Sequence, residues 1–445
     1  MTGNIRGGTA AEIVESVREL VERGSLAAGQ TLPPVRGLAE KLGVNRNTVV
    51  SAYRTLAQAG IVVSRGRAGT SVASQHAHAQ EGYSQGAVLR DVGTGNPDPA
   101  LIPGFTAVLR RIAERPVLYG EPVIDPNLEQ WAAQWMSDAV PQTARARLTV
   151  TGGAVDAVER LLAGALTRDD AVALEDPCFL ASIQTVRLGG YRAVPVRVDK
   201  QGITVDGLRS AIEAGVRAVV LTPRAQNPTG VSLSAERASE LRALLAEHPY
   251  LFIIEDDHFS LLSDQTYHSV IPTDHQRWAV VRSVSKFLGP DMCLAVVASD
   301  GPTADRLALR LSPGTTWVSH LLQRLAHALL TDADSTATIE RARAHYAQRN
   351  TEFRSLLATR DLACESRDGM NLWVDVGTSG QAVAEQLMRR GWLARTGDEF
   401  VLADESARRH LRLTVHDLGA SDAQRLADDV AAARDVAVAR GMIEQ

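Results

Sequence analysis

The stretch that decides the fold is SVSKFLGPD at residues 283–291, in which Lys286 closely follows an apolar run. Four short motifs precede it along the chain: TGGA at 151–154, EDPCF at 175–179, NPTG at 227–230 and EDDHF at 255–259. Each places polar or turn-forming residues near the end of an apolar run. One such motif alone could be a solvated strand end, a helix cap or an ordinary turn. Five motifs in this order rarely arise from turn and strand statistics, so we interpret them as parts of one site.

Short β-branched, apolar runs alternate with helical periods from about residue 90 onward. This alternation predicts an α/β fold with a mostly parallel sheet covered by helices on both faces. Ligands of such sheets bind beyond the carboxyl ends of the strands. Asn227, Asp256 and Lys286 lie at or just beyond such ends. The runs are AVALE at 171–175, RAVPV at 192–196, AVVLTP at 218–223, LFIIED at 251–256 and AVVRSV at 279–284.

The first 75 residues carry a different pattern, that of three short helices followed by a two-stranded wing. A first helix ends at Gly24, and the Pro33-Pro34 pair starts a second helix that ends at Gly43. Asn45 is suited to cap a third helix, which ends at Gly60. The β-branched stretches IVVS and TSVA flank RGRAG at 65–69. The pattern predicts a winged helix-turn-helix, with the amino-terminal residues of the third helix meeting base edges in the major groove.

Charge and composition agree with a DNA-binding module attached to a larger body. Residues 1–75 contain nine Arg or Lys and five Glu, a net charge of +4, so the remainder carries −9 of the total −5. The composition, 45% hydrophobic and 22% charged, is that of a globular protein, and the amino terminus lacks the apolar core of a signal peptide. We therefore expect a cytoplasmic protein with two or three domains.

The cysteine and histidine spacings predict neither a disulfide framework nor a metal site. Cys178, Cys293 and Cys364 are too scattered for either, so reduced thiols are expected. His76 and His78 lie in a polar stretch that reads as a linker, with no further ligand at metal-binding spacing nearby.

The string LPPVRGLAEKLGVNRNTVVSAYRTLAQAGIVVSRGRAGT at 32–70 resembles the GntR family of bacterial regulators almost throughout. The resemblance implies that double-stranded operator DNA is a partner. Any single arginine in this set could instead solvate a helix face without contacting DNA. The residues that the resemblance places at the DNA are Arg36, Asn45, Arg46, Asn47 and Thr48 in the helices and Arg65, Arg67 and Gly69 in the wing.

The five motifs resemble the class I branch of the pyridoxal-phosphate fold type I aminotransferases. The resemblance covers roughly the last four-fifths of the chain and implies that fold, a small α/β subdomain and pyridoxal 5'-phosphate as cofactor. Lys286 then forms the Schiff base with the cofactor, and Asp256 pairs with its pyridine nitrogen. Arg412, in HLRLTV, binds the carboxylate of an amino acid. The other residues implied at the cofactor are Tyr119, which reaches across a dimer interface, Gly153, Ala154, Phe179, Asn227, His258, Ser283 and Ser285.

Three positions depart from the family pattern. His258 stands where a tyrosine usually donates to the phenolic oxygen of the cofactor, a role that imidazole can also serve. Cys293 stands where an arginine usually contacts the phosphate, and its loss should weaken phosphate binding or shift it to other groups. Asp125 replaces a glycine and is expected to add a carboxylate near the entrance of the site.

A GntR-type winged helix joined to an aminotransferase-like domain resembles the MocR subfamily of regulators. The implied boundaries are 1–75 for the DNA-binding domain, 76–90 for the linker and 91–445 for the cofactor domain. The large subdomain covers about 125–310, and the small one about 311–445 with part of 91–124. Members are head-to-tail homodimers.

Three functions stay open at this point. The resemblance implies a non-enzymatic regulator that senses pyridoxal phosphate and controls a vitamin B6 gene such as one for pyridoxal kinase. One alternative is an active aminotransferase with a DNA-binding tether. The other is a DNA-binding dimer with a vestigial pocket.

Overall fold

The computed structural model describes residues 5–27, 29–59, 61–64, 69–72, 89–112, 116–139, 146–314 and 316–441. They divide into two compact units, one formed mainly by residues 1–80 and the other by most of the rest. Within these ranges, every helix is too short or too polar to cross a membrane.

The first unit is the winged helix-turn-helix that the sequence predicts. Thr9 and Glu12 form a capping box at the start of the first helix. Gly43 ends the second helix in the left-handed conformation at φ +66°, which favours glycine. The two wing strands pair antiparallel. The elements are α1 (Ala10–Glu22), α2 (Val35–Leu42), α3 (Arg46–Gln58), β1 (Val62–Ser64) and β2 (Thr70–Val72), packed around Ile13, Val17, Leu38, Val49 and Leu56.

The second unit is built on an eight-stranded sheet of order β4-β11-β10-β9-β8-β5-β6-β7. The neighbouring pairs from β10 to β6 are parallel, and β11 pairs antiparallel with both β10 and β4. The mostly parallel α/β fold is therefore confirmed. In chain order the elements are β3 (Arg90–Asp91), α4 (Pro126–Trp135), β4 (Arg147–Thr151), α5 (Ala154–Ala165), β5 (Ala171–Asp176), α6 (Leu180–Leu188), β6 (Arg192–Asp199), β7 (Gly202–Ile203), α7 (Val205–Glu213), β8 (Val216–Leu221), α8 (Ala235–Ala246), β9 (Phe252–Asp256), β10 (Trp278–Ser283), α9 (Ser285–Leu288), β11 (Ala295–Ser299), α10 (Gly301–Leu311), α11 (His320–Leu330), α12 (Ala333–Ala358), β12 (Ala363–Cys364), β13 (Asn371–Asp375), α13 (Gly380–Arg389), β14 (Trp392–Leu393), β15 (Arg395–Thr396), β16 (His410–Thr414) and α14 (Ala420–Gly441).

Both faces of this sheet are buried, as its apolar strands require. Successive side chains of a strand point to opposite faces, and the core divides accordingly. Ala171 and Ala173 of β5 belong to one hydrophobic cluster, whereas Val172 and Leu174 belong to another. In β9, Ile253 belongs to the first of these clusters, and Phe252 and Ile254 belong to the second. Helices therefore cover the sheet on each side and leave its strand ends for a site.

A second, smaller sheet of order β12-β13-β16-β15 is antiparallel throughout. It shares a separate hydrophobic cluster with α13, α14 and the carboxyl-terminal half of α12. The short strand β3 pairs with β14 in parallel, so Arg90 lies opposite Trp392. The end of the predicted linker is thereby fixed to this smaller layer.

The expectation that Asp125 adds a carboxylate near the entrance is wrong. Asp125 is buried and caps α4, because its Oδ1 accepts from Asn127 N at 3.0 Å. Its other oxygen accepts from Arg324 Nε at 3.2 Å. This carboxylate holds a helix start in place.

Candidate functional site

The amino-terminal turn of α3 presents polar side chains to solvent. Asn45 caps the helix, since its Oδ1 accepts a hydrogen bond from Asn47 N at 2.9 Å. Arg46 and Asn47 are exposed and Thr48 is half-buried. Arg36, in the first turn of α2, is exposed as well. These residues have the placement that a DNA-reading helix and its neighbour require.

The wing is described at its strands and at Gly69. This glycine has φ +90° directly before β2, a conformation that side-chain-bearing residues rarely adopt. Arg65 and Arg67, the two predicted wing contacts, lie outside the described residues, as do His76 and His78.

A pocket lies at the carboxyl ends of β8, β9 and β10 in the second unit. Its lining includes Asn227, His258 and Lys286. Lys286 lies on α9, three residues after β10, and its Nζ donates a hydrogen bond to the carbonyl oxygen of Gly95 at 3.0 Å. Asp256, the last residue of β9, is close enough to sense the charge of Lys286. The structure thus brings together the lysine, amide and carboxylate that three separate motifs supply.

Asp256 has a buried oxygen atom in need of a donor. Its Oδ1 is shielded from solvent and has no hydrogen-bond partner among the described residues. Burial raises the pKa of Asp256 to about 7, the charge of Asp257 adds to the rise, and Lys286 opposes it. A buried acceptor without a donor is costly, and a cationic N–H would remove that cost. The site is therefore suited to a ligand that carries a protonated nitrogen.

Asp257, the next residue, has a different role that the sequence did not reveal. It is fully buried and accepts two hydrogen bonds from Arg224, at 2.7 and 2.8 Å, and one from Arg282 Nε at 2.7 Å. Burial alone would raise the pKa of Asp257, but the hydrogen bonds and charges of the two arginines hold it below its ordinary value. Asp257 therefore neutralises buried cations, which leaves Asp256 as the carboxylate available to a ligand.

Arg412 is buried in β16 of the smaller sheet and contacts Asn227, which lines the pocket. Its Nη1 donates to Asn227 Oδ1 at 3.2 Å, and its Nη2 donates to the carbonyl oxygen of Gly93 at 2.6 Å. The guanidinium lies 4.9 Å from the centre of the Phe400 ring. A planar cation held in this way presents a fork that matches a carboxylate. Asn227 therefore connects Arg412 to the pocket lining, and the contact of Arg412 with a ligand stays a prediction.

The start of α5 forms a cradle next to the same strand ends. Gly153, its N-cap residue, has φ +109°, and a β-carbon there would meet nothing within 4 Å. Thr151 at the end of β4 and Ser283 at the end of β10 both lie opposite Ala295 of β11. The first amides of α5, which begin at Ala154, are therefore at the level of Ser283. Helix amino termini of this kind bind phosphate groups.

Two hydroxyl groups and a thiol surround the end of β10. The hydroxyl oxygens of Ser283 and Ser285 are 3.2 Å apart, and Ser285 Oγ donates to the carbonyl oxygen of Met292 at 3.2 Å. Cys293 is exposed, and its thiol contacts the carbonyl oxygen of Pro290 at 3.3 Å. A thiol offers no positive charge, so a phosphate here would depend on amides and hydroxyls.

Phe179 and Tyr119, two predicted cofactor contacts, have different surroundings. Phe179 is half-buried directly before α6. Tyr119 is 88% exposed, and its ring centre lies 5.5 Å from that of Trp317. The contact of Tyr119 with a cofactor therefore stays a prediction.

Comparison with known proteins assigns both units. The profile of aminotransferase class I and II matches residues 96–430, and that of the bacterial regulatory proteins of the gntR family matches residues 9–72. The chain is 45% identical, over 96% of its length and 98% of the other, to the vitamin B6 salvage pathway transcriptional repressor PtsJ of Salmonella typhimurium. It is 25% identical to the probable rhizopine catabolism regulatory protein MocR of Rhizobium meliloti, over 78% of this chain and 76% of that one.

Solved structures agree with the fold. The α-aminoadipate aminotransferase LysN of Thermus thermophilus, solved with N-(5'-phosphopyridoxyl)-L-leucine, superposes with a TM-score of 0.69 at 21% identity. The match covers 79% of this chain and 93% of LysN. A multiple substrate aminotransferase from Thermococcus profundus gives a TM-score of 0.71 at 20% identity, over 80% and 93% of the two chains.

Proposed function

Because the chain belongs to the class I and II aminotransferase family and to the gntR family of regulators at once, we propose that it is a transcriptional regulator controlled by pyridoxal 5'-phosphate. The regulated gene belongs to vitamin B6 metabolism, with pyridoxal kinase as the leading candidate, and the protein acts in the cytoplasm. The observation that carries this proposal is the partnerless oxygen of Asp256 beside Lys286 in a chain whose residues 9–72 match the gntR family. The high identity with a vitamin B6 salvage repressor supports the choice of gene.

The residues of the pocket fit pyridoxal phosphate. Asp256 supplies an acceptor for a protonated pyridine nitrogen, and the open turn at Gly153 leaves room for a phosphate at the start of α5. Lys286 supplies a primary amine in the pocket at the strand ends. The proposed remaining contacts are Asn227 and His258 to the phenolic oxygen, Phe179 against the ring, and Ala154, Ser283 and Ser285 at the phosphate.

Lys286 and Asp256 determine the conditions under which the pocket can receive the cofactor. When bound, pyridoxal phosphate supplies an aldehyde that reacts with primary amines and a ring that withdraws electrons. Lys286 can react only after its Nζ gives up a proton and leaves the carbonyl oxygen of Gly95. Asp256 must be ionised to hold a positive nitrogen, and a positive partner lowers the pKa that burial has raised.

Control of DNA binding follows from linkage between the two sites. If cofactor binding changes operator affinity by some factor, operator binding changes cofactor affinity by the same factor. Lys286 holds Gly95, and Gly95 lies four residues after β3, which follows the linker region. A change at Lys286 therefore reaches the part of the chain that leads to the DNA-binding unit.

We propose that the functional form is a head-to-tail homodimer in which Tyr119 reaches the partner's pocket. Exposed apolar side chains near Tyr119 support this arrangement: Leu118 precedes it and is 67% exposed, and Leu321, 62% exposed, follows His320, whose ring contacts that of Trp317. Exposed apolar side chains of this size, taken together, often mark an interface. Sedimentation of a monomer at micromolar concentration would rule the dimer out.

The second candidate function is a working aminotransferase, and the Arg412 geometry favours it. The buried guanidinium held by Asn227 Oδ1 fits the carboxylate of an amino acid. Bleaching of the cofactor band by an α-amino acid at a useful rate, without any effect on DNA binding, would favour this reading. The exposed thiol of Cys293 favours a third function, in which the pocket is vestigial and binds no cofactor.

The test of the regulator is binding of purified protein to DNA upstream of its own gene and its neighbours, at fixed salt, while pyridoxal phosphate is titrated. We expect the dissociation constant or the length of protected DNA to change as the cofactor binds. Fixed salt is required because phosphate contacts make DNA affinity strongly salt-dependent. Specific DNA binding that ignores a demonstrably bound cofactor would contradict the proposal.

Arg46→Ala should weaken specific operator binding by about 1–3 kcal/mol, the usual contribution of a good base contact. The exposed position of Arg46 in the first turn of α3 is the reason. Arg18→Ala on α1, an exposed arginine next to Glu15, is the matched control and should leave affinity nearly unchanged. Gel-shift titrations on operator and random DNA measure the difference. An equal loss on both DNAs would instead make Arg46 a phosphate contact.

A further inference from the structure

Three potential metal ligands from distant parts of the chain meet beside the pocket. Asp98, His345 and His416 each offer one ligand atom, and these atoms lie within 4.8 Å of one another. Asp98 follows the segment that contains Gly95, His345 lies in the middle of α12, and His416 lies two residues after β16. Spacing along the sequence could not reveal this cluster, because 247 positions separate Asp98 from His345 and 71 separate the two histidines.

Backbone carbonyls fix the tautomer of both imidazoles. His345 Nε2 lies 2.8 Å from the carbonyl oxygen of His416, and His416 Nε2 lies 2.8 Å from the carbonyl oxygen of Asn96. A carbonyl only accepts hydrogen bonds, so each ε nitrogen carries a proton, and in the neutral imidazole each δ nitrogen then has the lone pair. Histidines that bind metal ions are usually oriented in this way, with the second nitrogen donating to a carbonyl or carboxylate.

His416 has a lone pair directed at no hydrogen-bond partner. The residue is 4% exposed, and its Nδ1 is buried without a partner among the described residues. Buried polar atoms of this kind are rare and require an explanation. A cation that accepts the lone pair provides one.

Asp98 supplies the negative charge that a cation site needs. Its Oδ1 accepts from Ala100 N at 2.9 Å, and a carboxylate has further lone pairs for an ion. Its backbone N–H donates to the hydroxyl oxygen of Tyr346 at 3.0 Å, which fixes the position of the residue. Asp98 and His345 are half-buried, so water can reach the cluster and complete a coordination shell.

We propose that Asp98, His345 and His416 bind one divalent transition-metal ion, with Zn²⁺ as the best fit. Two imidazoles and one carboxylate are ligands that Zn²⁺ takes in open, tetrahedral sites, with water in the fourth position. Zinc bonds of about 2.0–2.1 Å place tetrahedral ligands roughly 3.3 Å apart. The three side chains must therefore approach one another by up to about 1.5 Å when the ion binds. The half-buried Asp98 and His345 have the freedom to make this movement.

Zn²⁺ binding to the tag-free, cofactor-loaded protein tests the proposal. We expect one Zn²⁺ per chain in calorimetric titration and in metal analysis after dialysis. His345→Ala should weaken the dissociation constant by at least about 100-fold, since loss of an outer-shell partner alone costs about 10–100-fold. His248→Ala, at a histidine just after α8 that stacks edge-on against Tyr250, is the matched control and should bind as the wild type does.

A second variant and a second probe keep the test decisive. Asp98→Asn removes the charge without removing volume, and it decides the matter if His345→Ala does not fold. Co²⁺ should give the visible bands of a tetrahedral site in the wild type and in Lys286→Ala, which separates this site from the cofactor. The proposal is overturned if the wild type takes up no Zn²⁺ at micromolar concentration. It is equally overturned if folded Asp98→Asn and His345→Ala variants keep wild-type affinity.

Discussion

Lys286→Ala should abolish the yellow absorbance of bound pyridoxal phosphate while the protein stays folded. The chain contains three lysines, Lys41, Lys200 and Lys286, so few other amines could replace the lost one. Lys41 belongs to α2 of the DNA-binding unit, and Lys200 is exposed after β6. Lys286 is the lysine that lines the pocket with Asn227.

Visible spectra of the purified variants, reconstituted with the cofactor, measure this effect. Lys41→Ala and Lys200→Ala are the matched controls and should keep the full band. Borohydride reduction of the wild type followed by peptide mapping should place the label on Lys286. The assignment fails if the band persists in Lys286→Ala or if the label is found on Lys200. In the regulator that we propose, the same variant should also bind operator DNA with an affinity that ignores the cofactor.

Asp257→Asn should lower the free energy of unfolding of the second unit by about 3–5 kcal/mol, the usual cost of leaving a buried charge without its partner. Asp257 is the carboxylate that Arg224 and Arg282 share, and Arg282 is 1% exposed. Arg282 keeps its bonds to Asp138 and to the carbonyl oxygen of Trp135, so it stays in place with only the exposed carboxylate of Asp138 as counter-ion.

Urea unfolding followed by tryptophan fluorescence reports on this unit alone, because all six tryptophans lie between residues 131 and 392. Asp305→Asn is the matched control. Its pair with Arg147, at 2.5 Å, is exposed on both sides, so the loss should be below about 1 kcal/mol. Equal losses in the two variants would refute the assigned role of Asp257.

The effect of Asp257→Asn should depend on pH in a defined direction. The pKa of Asp257 is lowered in the folded protein, so the carboxylate's stabilisation is complete above its ordinary pKa of 3.8. It is lost as the pH falls through the lower folded value. The difference between wild type and variant should therefore be full at neutral pH and should shrink below about pH 4. A difference that grows on acidification would contradict the sign of this shift.

The strands and the DNA-binding helices were predictable because their signals are local. LFIIED predicts a buried parallel strand, and β9 covers Phe252–Asp256. Asn45 before an apolar period predicts a helix start, and its side chain does cap α3. In such stretches the apolar pattern and the capping residue are enough to specify the element.

The role of Asp257 was not predictable, because it depends on a neighbour that the sequence does not identify. Arg282 interrupts the apolar run of β10, and its partner Asp257 directly follows β9, the adjacent strand. A charged residue inside such a run was the one available signal, since buried arginines need a partner. The family resemblance selects Asp256 for the cofactor, but the sequence does not show that the neighbouring Asp257 is bound by two arginines.

The two cations that we propose as ligand-binding groups, Lys286 and Arg412, already donate hydrogen bonds to the chain itself. Gly93 and Gly95 offer their carbonyl oxygens to Arg412 and Lys286. An incoming ligand competes with these internal acceptors, and a hydrogen bond to a charged group contributes about 1.5–3 kcal/mol. Each displaced bond therefore weakens the apparent affinity by roughly tenfold or more. A pocket whose cations are bound internally is half-saturated at a higher ligand concentration than one whose cations are free. These internal bonds therefore set the ligand concentration at which the proposed regulator would switch.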